Sequence, residues 1–241
     1  MFIKKVVLSR FVYTTIYITN TMDDRSLKKG LGNMEHPTYK FDEVADKIFY
    51  PAYDEIIEDV IAETGITQGI FLDVGSGGGH LGFALMKQTD MQGSFLDIDE
   101  GALEIAKIRA KNLGFDKKSQ IVLGNVENMP FEDGVFDLVI SRGSVSFWKK
   151  QHQAFYEILR VMKPGAKAYI GGGLGSIKTQ QEIKRKMKEL GKCLYGSKKE
   201  HEKYSHALTL EEYASMFESM PCVFRIISDE RHKRLILLEK T

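Results

Sequence analysis

Leu72-Asp73-Val74-Gly75-Ser76-Gly77-Gly78-Gly79-His80-Leu81-Gly82, followed by Phe95-Leu96-Asp97-Ile98-Asp99, reads as a buried strand, a glycine turn opening a helix, and a second strand that ends in acids. Glycines at such a junction let the backbone turn tightly and approach a ligand with no Cβ in the way, while the free N–H groups of the new helix point into the gap. An acid at the tip of the next strand is placed to accept hydrogen bonds from ribose hydroxyls. The pattern describes a nucleoside-binding crevice.

Two registers overlap in it. Gly77-Gly78-Gly79-His80-Leu81-Gly82 satisfies the dinucleotide fingerprint G-x-G-x-x-G, which alone permits an NAD-dependent oxidoreductase. The register Asp73-Val74-Gly75-Ser76-Gly77-Gly78-Gly79 instead puts a carboxylate at the end of the first strand, where it repels a pyrophosphate and attracts an ammonium or sulfonium. In that register the chain resembles the class I S-adenosylmethionine-dependent methyltransferases, whose first motif is D-x-G-x-G-x-G. Gly124-Asn125-Val126-Glu127-Asn128-Met129-Pro130 running into Phe136-Asp137-Leu138-Val139-Ile140-Ser141 is similar to that family's adenine loop and fourth strand. Val161-Met162-Lys163-Pro164-Gly165-Ala166 is similar to its turn before the fifth strand, so the resemblance covers about residues 70–172. The nearest pattern is the ubiquinone/menaquinone-methyltransferase-like (type 11) branch.

The resemblance implies S-adenosyl-L-methionine as cofactor and assigns roles residue by residue. Gly75, Ser76 and Gly77 line its methionine part, with Asp73 near the ammonium, directly or through water. Asp97 takes the ribose hydroxyls and Ile98 the adenine face. Asn125 stands where the family often has an Asp, and an amide accepts from the adenine amino group without charge assistance. The Val126 N–H reads adenine N1, Met129 packs nearby, and Ser141, at the end of the fourth strand, is counted among the cofactor-binding residues. Asp99 is expected to cap the helix that follows rather than make a second ribose contact.

A chain of 241 residues with 43% hydrophobic content is long enough for a sizeable core, and a formal charge of +1 argues against general attraction to nucleic acid or anionic membrane. Cys193 and Cys222 are too few and too isolated for a disulfide framework or a zinc site, which suits a reducing, cytoplasmic setting, and no metal is expected. Residues 1–38 are expected to be a loosely packed extension. In Met1–Met22 the only charges are Lys4, Lys5 and Arg10, with no apolar run approaching the roughly 20 residues of a membrane span. Residues 39–241 then form one domain. Phe41, Val44, Ala45, Ile48 and Phe49, then Tyr53, Ile56, Ile57, Val60 and Ile61 after Pro51, recur at helical spacing, giving lid helices over 39–64.

Strands are expected at Ile70–Val74, Ser94–Asp97, Gln120–Leu123, Phe136–Ser141 and Lys167–Gly171, separated by helices at Leu81–Gln88, Ala102–Leu113 and His152–Met162. Val223–Ser228 and Arg234–Glu239, joined by the charged turn Asp229–Lys233, have room only for an antiparallel hairpin. The fold class is therefore α/β: a Rossmann-like, doubly wound, mostly parallel seven-stranded sheet with helices on both faces and a C-terminal antiparallel hairpin. A basic insertion, Ile177 to His206, reads first as a solvated helix face and second as a recognition element for an anionic substrate. Gly171-Gly172-Gly173-Leu174-Gly175 ahead of it is either a close approach for substrate or a hinge.

Methyl transfer from a sulfonium is an in-line displacement that depends on orientation and desolvation. The residues after the fourth strand face the acceptor: Arg142, Phe147 and Trp148, with Tyr50 and Tyr53 from the lid, while Arg142 and His80 are the candidate catalytic groups. The acid-or-Asn-Pro-Pro-aromatic motif of nucleic-acid and glutamine amino-methylating enzymes is absent there, which points to a small-molecule acceptor. A cofactor-binding regulatory protein without turnover is the third reading. A chain beginning at Met22 is expected to melt at the same temperature and bind cofactor equally well. A large loss in a thermal melt would show that Met1–Thr21 packs on the domain.

Overall fold

A computed structural model describes residues 42–191 and 208–241. The strands are β1 (Ile70–Val74), β2 (Gln92–Asp97), β3 (Ser119–Leu123), β4 (Phe136–Arg142), β5 (Met162–Gly171), β6 (Cys222–Ile227) and β7 (Leu235–Lys240). They form one sheet in the order β3-β2-β1-β4-β5-β7-β6. The first five are mutually parallel, and β7 runs antiparallel to both β5 and β6. The strand order reverses between β1 and β4, the kind of switch point at whose carboxyl ends open α/β sheets hold their ligands.

Period-two alternation along the strands sends neighbouring residues to opposite faces. Phe71, Phe95, Leu138, Ile140 and Tyr169 join one core with α1 (Tyr50–Thr64), α2 (His80–Gln88), α3 (Glu100–Asn112) and α5 (Ile177–Glu189). Leu72, Val74, Leu96, Val139 and Ile170 join the other with α4 (Gln151–Val161) and α6 (Leu210–Glu218). Asp99 caps α3, accepting from the N–H groups of Gly101 and Ala102 at 2.9 and 3.3 Å. The doubly wound sheet with its terminal hairpin is thus the observed architecture.

Three local differences have physical causes. The expected turn 161–166 is absorbed into the start of β5, where Met162 pairs with Phe136 and Lys167 with Leu138, so residues 163–166 bulge outward around Pro164 and Gly165. The lid segment is helical from Asp42, with a π-helical turn at Ala45–Phe49. That turn lies just ahead of Pro51, whose missing N–H interrupts the regular hydrogen-bond ladder. Residues 1–41 and 192–207, including Tyr39, Phe41 and Cys193, lie outside the described residues.

The described part of the basic insertion is α5. Its exposed face carries Arg185 between Glu182 and Glu189 and Lys186 beside Glu182, while Gln180, Ile183 and Met187 are buried on the other. The glycine run is held closely: the Gly173 carbonyl accepts from Arg142, and a Cβ at Gly175 would collide with Glu55. Glu55 in turn accepts from the Ser176 N–H and the Thr179 hydroxyl, which ties α1 to the start of α5.

Trp148, expected on the acceptor wall, is 6% exposed and packs edge-on against Phe155 at 5.5 Å in the core beneath α4. The short 3-10 turn Val145–Phe147 leaves Phe147 outside, 54% exposed. Trp148→Ala is therefore expected to destabilise the fold by about 3–5 kcal/mol and Phe147→Ala by about 0.5 kcal/mol or less in urea denaturation. Equal small losses in both would return Trp148 to the surface.

Candidate functional site

The glycine loop is bound to the end of β2. Gly75 and Ser76 donate to the Leu96 carbonyl at 2.8 and 3.0 Å, and the Gly77 N–H donates to Asp97 Oδ2 at 2.7 Å. Asp97 Oδ1 accepts from the Asp99 N–H at 2.9 Å, so the carboxylate is fixed in orientation by backbone donors while remaining half-buried. Gly77 has φ 53°, and no atom of the described residues lies within 4 Å of where its Cβ would stand. Bare backbone thus faces open space beside a fixed carboxylate. Among the described residues Ser76 Oγ, buried there, has no hydrogen-bond partner, and Ile98 is 74% exposed just past Asp97.

Asp73 is fully buried, and its Oδ2 accepts from the Gly82 N–H at 3.0 Å. Burial pushes its carboxyl up to about 7, against the Gly82 hydrogen bond and with help from the nearby charge of Asp97. Ser141 and Ser144 close the other side: both hydroxyls reach the Val74 carbonyl, at 2.7 and 3.2 Å, and they lie 2.7 Å from each other. Ser141 is thereby spent on joining β4 to β1. Asn125 Oδ1 accepts from the Glu127 N–H at 2.9 Å, forming a local turn, and Val126 is buried in the second core.

The lid meets the loop through a buried ionic node. Arg109, on α3, donates to the Gly78 carbonyl and pairs with Asp42 at 2.9 Å and Asp46 at 3.0 Å. His80 Nε2 lies 2.8 Å from Asp46 Oδ1, and its ring stacks on Tyr53 at 5.3 Å. Burial and the Arg109 charge hold the imidazole below its usual range. Burial raises the Asp46 carboxyl, but the His80 hydrogen bond and the Arg109 charge outweigh it, so the group stays ionised. Ligand-type atoms of Asp42, Asp46 and His80 lie within 4.8 Å of one another, and the guanidinium supplies the positive charge among them.

Arg142, at the end of β4, lies over the rings of Tyr53 and Phe49 at 5.0 and 5.6 Å. Its Nε donates to the Gly173 carbonyl at 3.2 Å and a terminal nitrogen to the Tyr53 hydroxyl at 3.4 Å. Tyr53 is buried, and burial raises its phenol, whereas Tyr50 is half exposed. The structure therefore groups Arg142, Tyr53 and His80 beside the glycine loop, and keeps Trp148 away from them.

Sequence reasoning passed over Arg109 and its partners, and over Glu157. Glu157 accepts from the Met129 N–H at 2.8 Å, and Arg160 donates to the Phe131 carbonyl, pinning the loop 124–131. A signal was present: Arg109 shares a helical face with buried Ala102, Ile105 and Ala106, and Glu157 with Ala154, Ile158 and Val161. A charge on an apolar face needs a buried partner.

The fold is α/β, with a glycine loop and a fixed carboxylate at the ends of neighbouring parallel strands. A family profile described as a methyltransferase domain matches residues 72–170. A Methanococcus maripaludis protein of known structure, itself assigned by inference as an S-adenosyl-L-methionine-dependent methyltransferase, is 34% identical, with a TM-score of 0.75 over 85% of this chain and 92% of that one. The uncharacterized methyltransferase YdaC of Bacillus subtilis is 32% identical over 46% of this chain and 60% of its own length. The ubiquinone/menaquinone biosynthesis C-methyltransferase of Francisella tularensis is 26% identical over 59% of this chain and 58% of its own. The match thus spans less than two thirds of either curated relative. The chain belongs to the class I S-adenosylmethionine-dependent methyltransferase superfamily.

Raising the Asp73 carboxyl from 3.8 to about 7 favours its protonated form in the folded state. Its contribution to stability is complete below pH ~3.9 and lost as pH rises to about 7, on the order of 4 kcal/mol for a shift of about three units. Asp73→Asn should flatten urea-derived stability between pH 4 and 7. An unchanged slope would assign that pH dependence to another group.

Proposed function

We propose that this protein binds S-adenosyl-L-methionine at the carboxyl ends of β1, β2 and β4 and transfers its methyl group to a small-molecule acceptor. The observation that carries this reading is the open Gly77 backbone beside the fixed Asp97 carboxylate, with the unpartnered Ser76 hydroxyl in the same loop. When bound, the cofactor supplies an electrophilic methyl on a sulfonium, displaced in line by an acceptor lone pair.

The chain's own residues do the rest. Asp97 holds the ribose diol, Ile98 offers its exposed side chain to adenine, and the Val126 N–H and Asn125 read the adenine edge. Asp73 sits at the border between neutral and charged, so a nearby ammonium draws it into the anionic form. Gly75, Ser76 and Gly77 carry the methionine end, and Ser141 fixes the strand that borders it. Tyr53, Arg142 and Phe147 form the acceptor side, with Tyr50 at its rim. His80 acts here as a neutral docking group between Asp46 and Tyr53 rather than as the base.

Within the superfamily we assign the chain to the ubiquinone/menaquinone-methyltransferase-like branch, supported by motif order and by the Francisella relative. No helix among the described residues is long and apolar enough to cross a membrane, and we take the cytoplasm as the place of action. A pyrophosphate at the end of β1 would meet Asp73, which disfavours NAD.

Calorimetric titration with S-adenosylhomocysteine and with NAD separates these readings: binding is expected for the first only. Asp97→Ala removes a charged acceptor and should weaken S-adenosylhomocysteine by roughly ten- to a hundred-fold. Unchanged affinity would remove Asp97 as the ribose anchor.

A further inference from the structure

We infer that the acceptor carries a carboxylate and that Arg142 is its receptor, a specificity that rests on the methyltransferase reading above. Arg109, Arg160, Arg185, Arg225 and Arg231 each hold a carboxylate of this chain. Arg142 and Arg234 form no ion pair among the described residues; Arg234 lies over the Tyr213 ring, whereas the partners of Arg142, at the end of β4, are the Gly173 carbonyl, the Tyr53 hydroxyl and the faces of Phe49 and Tyr53. Those contacts fix the guanidinium without neutralising it.

A half-buried cation costs free energy unless an anion joins it. Two of its five N–H donors are engaged in the contacts above, which leaves three for a ligand. The planar fork suits bidentate pairing with a carboxylate, and aromatic walls strengthen that pairing by excluding water. The nearby acids do not supply the counter-charge: Asp42 is held by Arg109, and Asp73 is buried against Gly82. One guanidinium balances one negative charge. A phosphate dianion would leave negative charge uncompensated in a half-buried site, which favours a monoanion.

The position fits an acceptor group. Arg142 touches Tyr53, Tyr53 stacks on His80, and His80 opens the helix that follows the glycine loop. Phe147, exposed on the turn after the same strand, offers an apolar surface for the body of such a molecule. The carboxylate serves as a handle that orients the acceptor; it is not itself assigned as the methylated group. The same chemistry is present in the amino-acid end of the cofactor, so the test separates the two sources.

The full chain, Arg142→Met and Arg142→Lys are titrated with S-adenosylhomocysteine. Each is then probed, with and without it, by thermal shift and ligand-observed NMR using benzoate against benzamide, 3-phenylpropionate against its amide, and octanoate against octanamide. The expected result is that at least one carboxylate binds about ten-fold or more tightly than its amide. Arg142→Met should erase that preference while changing S-adenosylhomocysteine affinity less than about two-fold, the expectation for a site the cofactor does not use. Arg142→Lys keeps the charge without the fork and should retain a weaker preference, which also serves if the Met variant fails to fold. A large loss of S-adenosylhomocysteine binding in both variants would place the cofactor's carboxylate on Arg142 and overturn the inference. So would the absence of any carboxylate preference, or a preference that survives in Arg142→Met. Failure of the unaltered chain to bind S-adenosylhomocysteine sinks the methyltransferase reading separately, because the probe pairs are also read without it.

Discussion

The guanidinium of Arg109 is the contact on which the candidate site depends. It is nearly inaccessible to solvent, holds the carbonyl of Gly78, and neutralises Asp42 and Asp46 together. Removing one member would leave an uncompensated buried charge, the costly way to break such a cluster. The geometry allows no slack, since a Cβ on Gly78 would overlap both Asp42 and Arg109. Three segments distant in sequence are thereby locked to one another: the helical segment beginning at Asp42, the glycine loop, and the helix after β2. The lid carries Phe49 and Tyr53 with it, and those rings seat Arg142.

Charge is distributed unevenly around the crevice. Beside the glycine loop, Asp97 is oriented by two backbone N–H groups and burial pushes the Asp73 carboxyl up to about 7. At the far side of Tyr53 stands Arg142, fixed by neutral partners only. Carboxyl groups thus gather beside the glycine loop and a guanidinium stands at the end of β4. Ordinary packing accounts for the residues between: Ser141 and Ser144 clip β4 to the Val74 carbonyl, and Trp148 fills the core under α4.

The strands, the helices between them and the terminal hairpin were legible because each is written in a local period. Phe71 and Leu72 differ by one residue and go to opposite cores, an alternation that any central strand of a two-faced sheet must display. The glycine loop and the cap at Asp99 were legible for a similar reason: each is formed within a few residues of chain. Where the reading slipped, a local cue had two outcomes. Trp148 follows a strand end, where a ring faces either ligand or core, and the short turn before it sent it inward. Asn125 and Ser141 also bond within the chain, to the Glu127 N–H and the Val74 carbonyl, contacts that residue type alone does not announce.

What the sequence by itself determined was the α/β order, the glycine turn at the end of β1 and the acids at the ends of β1 and β2, since period, glycine placement and strand-end acids act through neighbours in the chain. Only the tertiary structure decided who neutralises whom. Arg109 meets Asp42 across 67 residues and Arg142 lies over Tyr53 across 89. Electrostatic partnership depends on distance and burial in space, and no local pattern encodes which of many charged side chains will be brought together when the sheet and its helices close.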